Sequence, residues 1–142
     1  MKLKYSSHIG MFSGIGCLVA LMATTAMAAP KSTTIEHCEK NSLKNTELVL
    51  CLDQVKNRAD KELTTWVNNQ IFILEALSKK TGRGAPLNIF NRSQKLFGKY
   101  REDNCRWQYL QVAPATGATT AYKICYINLT KARIAELSKL NR

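Results

Sequence analysis

The four cysteines beyond residue 28, Cys38, Cys51, Cys105 and Cys125, limit more than any other feature what this chain can fold into. An even number of cysteines in a short exported domain is typical of a fold held by disulfides. A zinc site is disfavoured because there is no C-x-x-C pair and His37 is the only histidine beyond residue 28. The same absence argues against a thiol oxidoreductase, which needs an attacking thiol beside a resolving one. We therefore predict two disulfides, no metal and no cofactor.

The beginning of the chain has the features of an export signal. Lys2 and Lys4 form a basic start, residues 9–23 are largely apolar, and Ala26-Met27-Ala28 supplies the small side chains that a signal peptidase requires. The apolar run is shorter than the roughly 20 residues that span a bilayer. We predict cleavage after Ala28 and a periplasmic or secreted protein that is not transmembrane once processed. Lipid attachment at Cys17 is the alternative, although the apolar run continues beyond that cysteine.

Removal of the signal leaves residues 29–142, a length that suits a single domain with one core. The formal net charge of the whole chain is +11, and it becomes +9 when Lys2 and Lys4 are removed with the signal. An excess of this size favours association with polyanions and acidic clefts, at an affinity that falls as salt rises.

Apolar residues recur every three or four positions from residue 48 to residue 77, which is the spacing of one buried helical face. A short helix is expected before this one, beginning at a capping box of Thr33 and Glu36. The long helix is expected to end near Lys79 and Lys80. Its predicted apolar face is Leu48, Cys51 or Leu52, Val55, Ala59, Leu63, Trp66, Ile73 and Leu77, and its predicted polar face is Lys56, Asp60, Lys61 and Asn68.

A third helix is expected to begin at Pro86, because proline's missing amide proton costs nothing in the first turn. Residues 111–121 are rich in Ala, Thr, Gly and Pro and predict a loop. A fourth helix should follow, with Leu129, Arg133, Leu137 and Leu140 at helical spacing. The predicted buried face of the third helix is Ile89, Ser93, Leu96, Tyr100 and Trp107, with Phe90 and Phe97 beside it. The predicted fold class is all-α, a small antiparallel bundle of three long helices and a short N-terminal one.

The turn expected near Arg83 favours one pairing of the cysteines. Cys51 lies 32 residues before that turn and Cys105 lies 22 residues after it, which is about 48 and 33 Å along a helix. The two cysteines are therefore at different levels, and pairing Cys38 with Cys51 and Cys105 with Cys125 is the simplest solution. A nested pairing, Cys38 with Cys125 and Cys51 with Cys105, remains open.

Catalysis is disfavoured by the same sequence. One histidine beyond the signal does not supply a Ser-His-Asp set, and the cysteines are all expected to be bridged. Glu102 and Asp103 are adjacent on a helix, so their side chains point in different directions rather than converging. We predict a protein that is not an enzyme and has no catalytic residues.

The segment from Gln94 to Cys105 has the pattern Q-x-x-F-x-x-Y-R-x-x-x-C. It resembles the Q-x-x-W-x-x-Y-R-x-x-x-C of the LprI-like family of exported helical proteins, named after a lysozyme inhibitor, with Phe97 in place of tryptophan. The resemblance runs from about Cys38 to Leu140. Its other pieces are Thr46-Glu47, Cys51, Ala59-Asp60, Leu63, Cys125, Leu129-Thr130, Arg133 and Leu137.

The residues of this motif are predicted to be structural. Gln94, Phe97 and Arg101 are three and four positions apart and share one helical stripe, and Tyr100 is one step round. We expect Arg101 to hold Asp60 or Glu62 across the helix pair. Trp66 and Trp107 are expected in or beside the core.

The resemblance implies a binding protein that blocks a lysozyme-type muramidase or another cell-wall hydrolase without catalysis. Such enzymes work with two carboxyl groups in a cleft, which a cationic loop suits. The candidate binding residues are Lys79, Lys80 and Arg83, and residues 111–121 are a candidate second contact loop. The alternatives are a basic envelope protein that binds an anionic polymer, such as lipopolysaccharide or another glycan, and an immunity-type protein against a cell-wall hydrolase. No specific binding of nucleic acid is expected.

Overall fold

The computed structural model describes residues 33–140. The predicted signal, its cleavage after Ala28 and the alternative at Cys17 lie outside the described residues. Four helices follow one another: α1 Ile35–Asn41, α2 Asn45–Thr81, α3 Ala85–Val112 and α4 Ala118–Lys139. This arrangement confirms the predicted all-α fold with three long helices and one short one. No helix between residues 33 and 140 is both long and apolar enough to cross a membrane.

The disulfides confirm the local pairing and exclude the nested one. Cys38 and Cys51 join α1 to α2 with their Cα atoms 5.6 Å apart. Cys105 and Cys125 join α3 to α4 at 5.5 Å. Both bridges have an ordinary Cα separation, and each closes a reversal of the chain direction.

The N-terminal cap of α1 is one residue later than the sequence indicates. The side chain of Thr34, not of Thr33, accepts a hydrogen bond from the amide of His37 at 3.1 Å. The carbonyl of Thr33 instead accepts a bond from Arg58 on α2. The contact between Thr33 and Arg58 thus ties the segment preceding α1 to α2.

The core lies where α4 packs against α2 and α3. Its α2 side is the predicted apolar face as far as Leu63, and Trp66 is half-buried beside it. Ile73 is 42 % exposed, so the buried face ends before the helix does. The buried apolar side chains of the core are Cys38, Leu52, Val55, Ala59, Leu63, Cys105, Ala118, Ile127, Ile134 and Leu137.

The polar face predicted for α2 is only partly correct. Lys61 and Asn68 are exposed as expected, whereas Lys56 and Asp60 are half-buried. Lys56 lies 4.3 Å from the ring centroid of Tyr126 on α4, and Asp60 pairs with Arg101 on α3. Both are drawn inward because α3 and α4 cover that side of α2.

The predicted buried face of α3 is wrong at four of its five positions, whereas Ser93 is half-buried as expected. Ile89, Leu96, Tyr100 and Trp107 are 54 to 59 % exposed, and the side chains that pack inward include Phe90 and Phe97. The bridge at Cys105 supplies the reason, because it turns that position toward α4. At 100° per residue, Trp107 then lies about 200° round the helix from Cys105.

The predicted loop at residues 111–121 is also mostly helical. Only residues 113–117 connect α3 to α4. The side chain of Asn45 holds this turn against the start of α2, since its amide donates to the carbonyl of Thr116 at 2.9 Å and its oxygen accepts from Thr120 at 3.1 Å. Ala118 is buried, so the first turn of α4 belongs to the packed part of the bundle.

Helices α2 and α3 continue beyond the packed end of α4. Leu137, near the end of α4, belongs to a cluster that includes Val67 of α2 and Phe90 of α3. After Val67, α2 runs another 14 residues to Thr81, which is about 21 Å. We call residues 68–89, which lie between the packed side chains of Val67 and Phe90, the projecting hairpin.

Candidate functional site

The turn of the projecting hairpin is short and hydrogen-bonded. Gly82 ends α2 in the left-handed conformation, at φ 71°, and its amide donates to the carbonyl of Ser78 at 2.8 Å. The hydroxyl of Thr81 donates to the carbonyl of Leu77 at 2.8 Å and accepts from the amide of Arg83 at 3.3 Å. These bonds satisfy backbone groups that a helix end leaves without a partner. The backbone of the turn is therefore held in one conformation.

The predicted binding residues Lys79, Lys80 and Arg83 lie together at this turn, and all three are exposed. Within residues 33–140, none of them takes part in an ion pair. Glu75 is the one acidic residue of the projecting hairpin. The end of the hairpin is therefore positively charged and open to solvent.

Apolar side chains on the hairpin are exposed close to these charges. Phe72 is 71 % exposed, and Ile73 and Ile89 are also exposed. Exposed aromatic and aliphatic side chains on the same hairpin as a few cations are a composition that binding surfaces commonly have. The projecting hairpin is therefore the candidate functional site.

The candidate second contact loop lies at the other end of the molecule. Its turn, residues 113–117, contacts Asn45 at the first residue of α2, while Lys79 and Lys80 are in the last turn of the same helix. Helix α2 has 37 residues and is about 55 Å long. The two candidate contact regions are therefore too far apart to enter one cleft of a partner together.

Arg101 holds three helices together in the middle of the bundle. Its Nη1 donates to Asp60 Oδ1 of α2 at 3.2 Å and to Thr130 Oγ1 of α4 at 2.7 Å. Its guanidinium carbon also lies 3.9 Å from the ring centroid of Tyr126. Asp60 was one of the two carboxylates expected to meet Arg101. The side chain of Arg101 is mostly buried, and its bonds are to other residues of the bundle.

Tyr126 is the aromatic wall of this cluster. Burial raises the pKa of its hydroxyl above the ordinary value, although the charge of Arg101 acts the other way. Lys56 lies near the same ring, at 4.3 Å, and pairs with Asp60 at 2.9 Å. The neutral phenol ring of Tyr126 can therefore accept cation–π contacts from Arg101 and Lys56.

The remaining motif residues differ in their surroundings. Gln94 Oε1 accepts a bond from Arg133 at 3.4 Å, which links α3 to α4. Phe97 lies between Arg101 and Arg133, with its ring centroid 5.4 and 5.7 Å from the two guanidinium carbons. Tyr100 is exposed. Packing therefore accounts for Gln94, Phe97, Arg101 and Arg133, but not for Tyr100.

A shallow open depression of about 290 Å³ lies at the bridged end of α3 and α4. The hydroxyl of Tyr122 donates to Glu102 Oε2 at 2.6 Å beside it. Burial, and then this hydrogen bond, raise the pKa of Tyr122 to about 12. The hydroxyl is therefore neutral at physiological pH. The depression is lined by Glu102, Arg106, Tyr109, Leu110 and Tyr122.

Sequence reasoning missed an exposed surface on α3. Four of the five side chains predicted to be its core face instead form an outward apolar row, with Arg92, Lys99 and Arg106 along one side. The signal that could have revealed this row is the position of Cys105. A helix that turns Cys105 and Phe97 inward cannot also bury Tyr100 and Trp107.

Comparisons with known proteins give one match. The family model described as lysozyme inhibitor LprI matches residues 38–137, which is most of the chain and spans all four bridged cysteines. No curated protein matches this chain, and no solved structure matches it.

Proposed function

This chain belongs to the family described as lysozyme inhibitor LprI, and we propose that it is an exported, non-catalytic protein that inhibits a lysozyme-type muramidase by binding it with the projecting hairpin. The observation that carries the proposal is the placement of Lys79, Lys80 and Arg83. All three are exposed at the turn of a hairpin that extends past the packed end of α4. The disulfides are consistent with an oxidising compartment, as in the periplasm or outside the cell.

The proposed mechanism is occupation of the enzyme's cleft. Muramidases of this type cleave a glycosidic bond between two carboxyl groups that flank it. A lysine or arginine from the turn pairs with one of these carboxylates and excludes the sugar. Because the turn is fixed by hydrogen bonds from Gly82, Thr81 and Arg83, little conformational entropy is lost when it binds.

Long-range electrostatics oppose this association when the enzyme is basic. The mature chain is expected to carry a net charge of +9, whereas the pairing in the cleft is local. Repulsion between the whole proteins slows their encounter at low salt, and screening relieves it. The association rate with a basic lysozyme should therefore rise between low and moderate salt.

The test is a muramidase assay with the purified oxidised protein and several classes of lysozyme. Replacing Lys79, Lys80 and Arg83 together with serine should weaken inhibition at least tenfold and leave the melting temperature nearly unchanged, because exposed substitutions cost little stability. The matched control replaces Lys40, Lys61 and Lys139, which are exposed elsewhere. Equal losses in both variants would point to total charge rather than the hairpin. Full lysozyme activity at stoichiometric protein would refute inhibition.

Binding to an anionic envelope polymer is the second candidate, and the observation that favours it is the net positive charge. Such binding should weaken steeply as salt rises, whereas binding to a basic lysozyme should not. An immunity role against a delivered cell-wall hydrolase shares the proposed mechanism with a different target. Copurification of a specific hydrolase, such as an amidase, would identify that role.

A further inference from the structure

The outer surface of α3 carries an apolar row that the bundle does not cover. Ile89, Leu96, Tyr100 and Trp107 are each more than half exposed. Their spacing of 7, 4 and 7 residues places them within about 20° of one line along the helix, over about 27 Å. We call these four side chains the α3 row.

A row of basic side chains runs beside the α3 row. Arg92, Lys99 and Arg106 recur every seven residues and are all exposed. They lie about 60 to 100° from the α3 row, on the side away from the inward-facing Phe97. Lys95 is exposed next to them. This outward surface of α3 is thus apolar along one line and cationic along the next.

One acidic side chain lies between the two rows. Asp103 pairs with Lys99 at 2.9 Å, and both side chains are mostly exposed, so the pair is weak. Glu102 is turned further round the helix and accepts the bond from Tyr122. Because Arg92, Lys95 and Arg106 have no ion pair within residues 33–140, the surface keeps a positive charge.

We propose that this surface of α3 docks the protein on an anionic phospholipid bilayer. A helix that lies in a membrane interface has an apolar face bordered by Lys and Arg, and Trp and Tyr are enriched at that depth. The surface of a single helix is convex, and a fluid lipid surface can deform around it. The indole N–H of Trp107 already donates to Asn104 at 3.3 Å, which leaves the ring free to enter the headgroup region.

A second copy of the chain is the less suitable occupant. Two copies that packed through their α3 rows would bring positively charged proteins together, with a basic row at each edge of the contact. Anionic lipid is attracted to the same basic rows. The proposed docking is separable from lysozyme inhibition, because Leu96, Tyr100 and Trp107 lie outside the projecting hairpin and Ile89 alone is shared with it.

The test is sedimentation of the oxidised protein, freed of its signal segment, with vesicles of phosphatidylglycerol and phosphatidylcholine or of phosphatidylcholine alone. Binding should require the anionic lipid and fall with salt. Replacing Ile89 and Leu96 with serine should lower the partition coefficient at least tenfold, from the lost burial of two apolar side chains. Replacing Leu43 and Leu50, which are exposed on another part of the molecule, should leave it within about twofold.

Two further measurements make the test specific to this surface. Asp103→Asn should raise the affinity for anionic vesicles by about fivefold, which is the expected effect of one charge near the membrane surface. In a Trp66→Phe variant, brominated lipid should quench the fluorescence of Trp107. Several results would overturn the proposal: no binding to anionic vesicles, equal binding to neutral ones, equal loss in the Leu43 and Leu50 control, or a dimer that the Ile89 and Leu96 substitutions dissociate while vesicles bind neither form.

Discussion

The two ends of this molecule are stabilised in different ways. At one end, the two bridges surround buried side chains such as Leu52 and Ile127. At the other, the projecting hairpin has neither a bridge nor a fully buried residue. The bridged end is stabilised by two disulfides and by the packing of α4 against α2 and α3. The projecting hairpin consists of parts of α2 and α3 only. The comparison indicates that stability is concentrated away from the side chains proposed to bind.

Removing a disulfide should have the largest effect on stability. It would show how much of the greater stability of the bridged end comes from the covalent links. The bridges join residues 13 and 20 positions apart, and loops of that size contribute about 3 kcal/mol each on the chain-entropy model. Replacing one pair of cysteines with serine should lower the melting temperature by more than about 10 °C. Calorimetry of each variant measures this.

Hydrogen exchange in the bridged and bridge-free proteins should separate the two ends. In the intact protein, amides near Leu52 and Ile127 should exchange most slowly, and those of residues 72–90 much faster. Equal protection at both ends would show that stability is not concentrated at the bridged end.

A pair of truncations on α2 should give the next largest difference. Leu52 is fully buried and Phe72 is 71 % exposed. Leu52→Ala should cost about 3 kcal/mol of unfolding free energy because it leaves a cavity, and Phe72→Ala should cost less than about 0.5 kcal/mol. Denaturant titrations of both variants provide the values. A large cost at Phe72 would mean that its side chain is covered in solution.

The apolar spacing along α2 shows how much of the buried face could be predicted from the sequence. The spacing from Leu48 to Leu63 predicted the buried face of α2, because each of those positions meets α4 or α1. The same spacing continues to Ile73, which is 42 % exposed, and to Leu77, which is half-buried. Periodicity records which side of a helix is apolar, but not whether another helix is present to cover it.

Helix α3 and the α3–α4 turn show a second limit. The rotation of α3 is set by the bridge at Cys105 and by the long reach of Arg101 to Asp60 and Thr130. Neither constraint is visible in hydrophobic spacing. Composition likewise indicated a loop over residues 111–121, because Thr and Gly are poor helix formers, but the packing of Ala118 overrides propensity there. The basic turn could be predicted because glycine and charge are local signals.

Two glycines should give smaller effects, of opposite sign. Gly82 has a positive φ of 71°, whereas Gly98 lies inside α3 and an added Cβ there meets no atom within 4 Å. Gly82→Ala should lower stability by about 1 kcal/mol through strain in the turn. Gly98→Ala should raise stability by up to about 1 kcal/mol through helix propensity. Thermal unfolding distinguishes the two, and a stabilised Gly82→Ala would show that the turn has another geometry in solution.

The smallest effect should appear only in strong base, at the bridged end. The pKa of Tyr122 is raised from 10.0 to about 12 in the folded protein, so the folded state holds this proton more tightly than the unfolded state. The resulting stabilisation is complete below pH 10 and is lost as the pH rises toward about 12. Ultraviolet titration should show a phenol that ionises near pH 12, later than Tyr126, and Tyr122→Phe should remove it. A normal titration of all tyrosines would indicate that the bond to Glu102 is absent.

The positions of the bridges have a further consequence for proteolysis. Cys38 and Cys51 both precede the turn at Arg83, and Cys105 and Cys125 both follow it. A single cut by a trypsin-like protease at that exposed arginine therefore divides the oxidised chain into two fragments with no covalent bond between them. Such a nicked protein should give two bands on a gel without reductant, and only the packing of α4 and α3 against α2 would keep its halves together in solution.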